Sequence, residues 1–395
     1  MAKGKHNWGK TPWRISFRSK VAELPERVDI VIVGGGFTGL AAAALAKRLA
    51  PEKSVLVLEA ERIGNGASGR TGGMVLAETA AGNLRGLGDV LGGYRRILRD
   101  LGVDGELDLR GAWEIARGAR SMEGKTVRPL RRSPIDWNDS GRVRAVKLVP
   151  GGTVNPGKVV EGLARAAVRA GALIAENAEV TGMNAEHPTH LHVKWRSKSR
   201  IITTSRLLLA TNAGGLFLAP EMYRAKPEPK LTFAIATGPL SRKQLAALGM
   251  TSRRPFYSVD LPYLWGRMLG KRRMIFGSGL VPAFDESLPK GHAKNLWSGL
   301  EFESVRKGSS LQRLKMLEQR VRALHPAMKN VRITHRWCGP ILIAEGFVPI
   351  FCTHPKSKDI FLLGAYSGHG VAQSVYLGRW AAEALLGKRA LPMWS

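Results

Sequence analysis

The chain has 395 residues, 44% of them hydrophobic and 23% charged, which is ordinary for a globular protein and enough for two domains. The balance of 61 Lys and Arg against 31 Asp and Glu leaves a formal charge of +30, a field that draws acidic partners or anionic surfaces and is equally compatible with a merely solvated basic surface. Two cysteines exclude a disulfide framework, and no zinc-ligand spacing, RNP-like aromatic strand or basic heptad region accompanies the charge, so neither a metal site nor specific nucleic-acid binding is expected.

Residues 1–27, with Pro12, Pro25 and scattered Lys and Arg, read as a loosely ordered basic arm lacking the apolar stretch of a secretory signal. Val28 to Val33 is a β-branched run of the buried-strand kind. Three glycines follow, then an Ala-rich helix from Thr38 to Leu49 stopped by Pro51, then a second buried strand from Ser54 to Leu58 that ends at Glu59. The uncharged stretch Ile30 to Ala46 is short for a membrane span and is broken by four glycines, so strand, turn and helix explain it better. A cytoplasmic protein without a transmembrane segment is the expectation.

From Ala80 to Val149 the pattern weakens into mixed short pieces, with a basic run at Arg128 to Arg132. Asn155 and Pro156 then start a helix with a good cap, its apolar face carrying Val159, Leu163, Ala167 and Ala170, and Gly171 ends it. Strands are predicted over Ala172 to Val180, Thr189 to Trp195 and Arg206 to Ala210. Strand candidates between Tyr257 and Leu269 and over Arg273 to Phe276 come next, then a helix over Leu311 to Leu324. The end returns to regular form, with a strand at Ile360 to Gly364, a Gly-rich turn and a helix from Val371 to Leu386. The implied architecture is α/β and discontinuous: a Rossmann-like nucleotide domain from 28–80, 150–215 and 336–395, with a mixed-sheet substrate domain inserted as 81–149 and 216–335.

Gly34-Gly-Gly36-Phe-Thr-Gly39 matches the dinucleotide fingerprint in the right place, directly after a strand and opening a helix. Gly34 permits the tight turn, Gly36 lets backbone approach a pyrophosphate, Gly39 lets the helix lie against the strand, and the first turn around Phe37 and Thr38 offers amides to phosphate. Glu59, at the end of the second strand, is placed to accept from ribose hydroxyls. These features alone suit NAD or FAD. The second glycine-rich segment, Gly64 to Gly73, favours FAD, because its amides and the hydroxyls of Ser68 and Thr71 can reach phosphate and flavin ring, and no second strand-flanked fingerprint provides a nicotinamide site.

Gly34 to Gly39, Glu59 and Gly66-Ala-Ser-Gly-Arg-Thr-Gly-Gly73, followed in order by Gly151-Gly-Thr-Val-Asn-Pro156, Leu207-Leu-Leu-Ala-Thr-Asn-Ala-Gly214 and Gly364-Ala-Tyr-Ser-Gly-His-Gly370, resemble the D-amino-acid oxidase superfamily. Its gamma-glutamylputrescine oxidoreductase and sarcosine-oxidase-like branch is the nearest in pattern. The resemblance implies a glutathione-reductase-type FAD domain, a large mixed sheet over the flavin, and oxidation of an amine or amino acid by hydride transfer to FAD, with the imine product hydrolysing. It implies cofactor contacts from Gly34, Gly36, Phe37, Thr38, Gly39, Glu59, Ala67, Ser68, Arg70, Thr71, Gly72, Gly73, Val180, Thr211, Asn212, Gly368, His369, Gly370 and Val371. His369, Tyr263 and Arg267 are the candidate catalytic residues, and Tyr257, Trp265, Trp337 and Tyr366 the candidate substrate contacts.

Alternation puts Tyr263, Trp265 and Arg267 on one strand face, an aromatic wall with an arginine suited to a carboxylate. Cys338 is a candidate covalent flavin link, since sarcosine-oxidase-like relatives carry a cysteine near this place, although its neighbours Trp337 and Gly339 follow the non-covalent branch. The strand Arg273 to Gly277 lacks the lysine that helps oxygen react in that branch, which leaves oxygen or another electron acceptor open. A flavin-binding protein without turnover and a charge-recruited nucleic-acid-associated protein are the alternative readings.

Overall fold

In the computed structural model, which describes residues 8–118, 120–122, 125–224, 227–282 and 308–394, the β-branched run forms strand β1 (Arg27–Val33). Its last four residues are buried, as in an inner strand of a parallel sheet with helices on its faces. Helix α1 (Phe37–Leu49) follows and strand β2 (Val55–Leu58) completes the unit. The alanines of α1 let it lie close to its neighbours, and the C-terminal helix Gly370–Leu385 packs along it: a Cβ on Gly378 would stand 2.9 Å from the Thr38 carbonyl oxygen.

The first sheet runs in the order Leu173–Ala175, β2, β1, Lys198–Leu209, Thr189–Trp195, Ala178–Met183, and Ser357–Gly364 pairs in parallel with Lys198–Leu209. Val33 is in register with Leu58 on one side and Leu209 on the other, so three strands end at one edge where the connections diverge. A doubly wound sheet binds its ligand at that edge.

The second sheet has eight strands in the order Ile333–Ile343, Glu228–Thr237, Arg273–Pro282, Leu264–Leu269, Phe256–Ser258, Ala112–Arg117, Arg142–Val149, Asp136–Asn138. One face holds a core of Phe233, Ile235, Phe256, Met274 and Phe276, with Trp137 edge-on to Phe256 at 4.7 Å between ring centroids. The opposite face turns Ala234, Ala236, Ile275 and Trp337 toward the first domain.

Three expectations need correction. The strand Ile333–Ile343 lies wholly in the second sheet, so the nucleotide domain resumes after 343 and not at 336. Helix Val90–Asp100 buries Tyr94, Ile97 and Leu98 in the core of the first domain, which moves the segment beyond 80 out of the substrate domain. The arm is built in from residue 8 onward: Trp8 is 3% exposed in the second-domain core, and Phe17 and Leu24 are buried against opposite faces of the first sheet. Its aromatic residues have no periodicity because each fits a different part of the folded surface. Part of the expected substrate domain, 283–307, lies outside the described residues. No helix among the described residues is long and apolar enough to cross a membrane.

Candidate flavin and substrate site

The dinucleotide turn forms because only glycine fits it. Gly34 has φ +114°, and a Cβ there would stand 2.5 Å from the Ala210 carbonyl oxygen. At Gly39 a Cβ would collide with the carbonyl oxygen of Gly34, so a bare helix edge is needed for α1 to start where it does. The Gly35 amide donates to Glu59 Oε2 at 2.8 Å and the Phe37 amide to Ser68 Oγ at 2.9 Å, which ties the turn to the ribose acid and to the second glycine-rich loop.

Glu59 also accepts from the Glu61 amide at 2.9 Å, and the Ala178 amide donates to its backbone carbonyl at 2.8 Å, which brings Val180 to the same end of the groove. Burial pushes the Glu59 carboxyl up to about 7, with the neighbouring acids Glu61 and Glu176 adding to the rise. A carboxyl raised above its ordinary range binds its proton more tightly folded than unfolded. The apoprotein therefore loses this contribution to stability as pH rises from the ordinary carboxylate range through 7. Ribose hydroxyls would donate to the ionised form, so FAD held at Glu59 would expel the proton. Titration of the apoprotein with FAD, followed by fluorescence quenching, should give affinity roughly 10-fold weaker at pH 6 than at pH 8. A flat profile would remove Glu59 from the ribose site.

The loop from Ala67 to Gly73 is held by side chains that reach in from three other segments. Trp337 Nε1 donates to the Arg70 carbonyl at 2.8 Å and Trp13 Nε1 to the Thr71 carbonyl at 3.0 Å. Arg267 Nη1 donates to the carbonyls of Gly73, at 3.0 Å, and Val154. The Trp265 ring lies against Gly72 and Gly277, both positions where a Cβ would overlap it. Arg70 turns toward Asn65 and the arm, its Nε 2.8 Å from the Asn65 carbonyl and its Nη1 3.2 Å from the Gly9 carbonyl, and burial lowers it to about 10.

The C-terminal turn meets α1 from the other side. The Ala365 amide donates to Asn212 Oδ1 at 3.1 Å, and the hydroxyls of Tyr366 and Thr38 are 2.7 Å apart. Gly368 has φ +87°, His369 follows, and the helix begins at Gly370 with Val371 buried behind it. Burial lowers the His369 ring from its ordinary value, which favours the neutral form.

Two observations test whether the space fits FAD. Thr211, whose backbone amide nitrogen lies beside Gly34, has a buried Oγ1 next to Gly215 with no hydrogen-bond partner among the described residues. A Cβ built on Gly66 or Gly368 would meet no protein atom within 4 Å, although both lie in the segments that border the groove. Open glycine edges, with an orphaned hydroxyl in the turn that follows the central strand, fit an extended dinucleotide.

Over the loop, register places Trp337, Ala234, Gly277, Trp265, Tyr257 and Glu114 in one row across the second sheet. Of the sequence-predicted substrate residues, Trp265 and Tyr257 stand together there, both half-buried. The others have different places. Trp337 is 1% exposed and its N–H is held by the Arg70 carbonyl, Tyr366 faces Thr38, and Tyr263, expected as a catalytic residue, precedes its strand and is 41% exposed. The Arg267 guanidinium, lowered to about 10 by burial, is a clamp on Gly73 and Val154 stacked on the Trp13 indole, and not an arginine held out to a carboxylate. Cys338 pairs with Phe233 on the sheet face away from the loop, 2% exposed, and burial pushes its thiol up to about 12. Glu114, Trp8 and Trp13 went unread in the sequence. The concentration of tryptophan in a supposedly loose arm was the available signal.

A strand–helix–strand nucleotide turn, a second glycine-rich loop and a sheet laid over both define a flavin-dependent oxidoreductase. The model of the FAD dependent oxidoreductase (DAO) family matches residues 29–384, and the chain belongs to that family, with FAD as its cofactor. It is 27% identical to the probable oxidoreductase OrdL of Haemophilus influenzae, over 92% of this chain and 84% of that protein. To the gamma-glutamylputrescine oxidoreductase of Escherichia coli it is 26% identical, over 91% and 84%. Among solved structures, L-proline dehydrogenase from P. horikoshii superposes with a TM-score of 0.69 at 22% identity, covering 93% of this chain and 96% of that one. Glycine oxidase from Geobacillus kaustophilus gives 0.66 at 18% identity, over 93% and 96%. The family and these folds bear out the expected fold class.

Proposed function

We propose that this protein oxidises the C–N bond of an amine or amino acid, releasing an imine that water hydrolyses. The observation that carries the reading is the half-buried pair Trp265 and Tyr257 on the sheet face that covers the FAD loop. Bound FAD supplies the two-electron acceptor for the hydride that leaves the carbon next to nitrogen. The chain's own residues supply position and dryness. Trp265, braced between Gly72 and Gly277, gives the substrate a rigid wall, and Trp337 and Arg267 fix the loop beneath it so that the distance to the reacting carbon does not drift. Burial favours the neutral form of His369, and the N-terminus of the helix behind it would stabilise the negative charge that a reduced flavin carries. An amine bound unprotonated needs no base. A panel of amines and amino acids added anaerobically to the yellow protein should bleach it, and a panel that never does so would sink the reading. Because the Cys338 side chain is on the far face, acid denaturation should release the yellow colour into the supernatant, and colour retained on the chain would contradict that placement.

A further inference from the structure

The substrate row ends in an acid that the amine reading does not use. Tyr257 donates its hydroxyl proton to Glu114 Oε1 at 2.8 Å, which leaves Glu114 Oε2 for another donor. Both side chains are half-buried. Glu78 stands close enough for its charge to act on both the Tyr257 phenol and the His369 ring, and so adds negative potential to the same space. Cations outnumber acids 61 to 31 in this chain, yet among the described residues no Lys or Arg forms an ion pair with Glu114 or Glu78. Lys147 is Glu114's register neighbour on the outer side, but it is exposed and unpaired with it. The one buried guanidinium at the row, Arg267, is held by backbone carbonyls.

A carboxylate drawn partly out of water beside a phenol is favourable when a cation arrives to pair with it. Resting on the amine-oxidising reading, we propose that Glu114, with Tyr257, binds a second ammonium of the substrate, so that the preferred substrates are diamines or longer polyamine-like chains. Two strand spacings separate Glu114 from Trp265, about 10 Å. An extended chain of roughly four to six methylenes with a hydrogen bond at its end covers that distance. The nitrogen at one end is then held by Glu114 while the carbon beside the other nitrogen lies under Trp265.

The test uses FAD-loaded wild type, Glu114→Gln and Glu114→Asp, with straight-chain diamines of three to eight carbons and monoamines of matched length. Anaerobic flavin bleaching and steady-state turnover are the readouts. In the wild type, kcat/KM for a diamine should exceed that of the matched monoamine roughly 10- to 100-fold, with an optimum in chain length. Glu114→Gln should bring that ratio close to one, mainly through KM, and Glu114→Asp should restore part of it with the optimum moved to a longer chain. Equal use of diamines and monoamines overturns the proposal while leaving amine oxidation intact. So does a Glu114→Gln variant that loses both substrates by the same factor, because that is the mark of a structural role. Simple amino acids outperforming every diamine would also overturn it. A wild type bleached by no amine and no amino acid removes the amine reading and this proposal together.

Discussion

Gly39→Ala should purify nearly colourless, with FAD affinity down about 100-fold or more, or about 2.7 kcal/mol. The added methyl would collide with the Gly34 carbonyl oxygen, a backbone atom fixed by the turn, and would also stand 3.1 Å from Ile32 Cγ2. Relief requires α1 to move off β1, and that motion carries away the helix start on which the diphosphate rests. Gly66→Ala is the informative companion. Nothing in the protein lies within 4 Å of its new methyl, so the apoprotein should melt as the wild type does while FAD binding weakens, because the methyl would project into the open space assigned to the cofactor. Flavin-to-protein absorbance ratios after purification and thermal melts with and without added FAD separate the two effects. Gly39→Ala protein that is yellow at wild-type stoichiometry would refute the site.

Trp8→Ala should destabilise the holoprotein by about 3–5 kcal/mol, the range for emptying a buried tryptophan site. Trp8 is 3% exposed in the second-domain core, its carbonyl accepts from the Cys338 amide at 2.9 Å, and the next residue, Gly9, bridges to Trp337. Gly9 also receives Arg70, so the start of the arm joins the core of one domain to the flavin loop of the other. Trp13→Ala acts differently. That side chain is half-buried, but it donates to the Thr71 carbonyl and lies 5.7 Å from the Arg267 guanidinium. Its loss should cost little in melting temperature and weaken FAD binding roughly 10-fold, because the loop is loosened without a core cavity opening. Deletion of the arm through residue 26 should combine both losses. A truncated protein that keeps the wild-type melting temperature and colour would show the arm to be dispensable.

Local chemistry made the nucleotide half readable in advance. Strand β1, helix α1, strand β2 and the crossover helix Pro156–Arg169 follow from β-branched runs, alanines, an Asn cap and glycine stops, and all appear within a residue or two of expectation. The glycines were equally plain, because the backbone conformations they permit are closed to other residues. The second sheet was harder to read. Some of its strands pair across large sequence separations, Ile333–Ile343 with Glu228–Thr237 and Phe256–Ser258 in parallel with a strand more than a hundred residues earlier. Chain positions around 336 and 81–105 were therefore assigned to the wrong domain, since a run of apolar residues shows that it will be buried but not against what.

The substrate face shows the same limit. Alternation correctly put Trp265 and Arg267 on one side of a strand, and it had no means of showing that carbonyl oxygens of Gly73 and Val154 would take up the guanidinium. Nor did Glu114 carry any mark in its own neighbourhood, since its meaning comes from a tyrosine 143 residues away. The cofactor, its turn and the order of the elements are consequences of interactions between near neighbours along the chain, which residue types express directly. The direction of each arginine, the hidden side of Cys338 and the seating of the arm arise from competition among distant groups for the same buried partners, and that competition is resolved only when the two sheets close on each other.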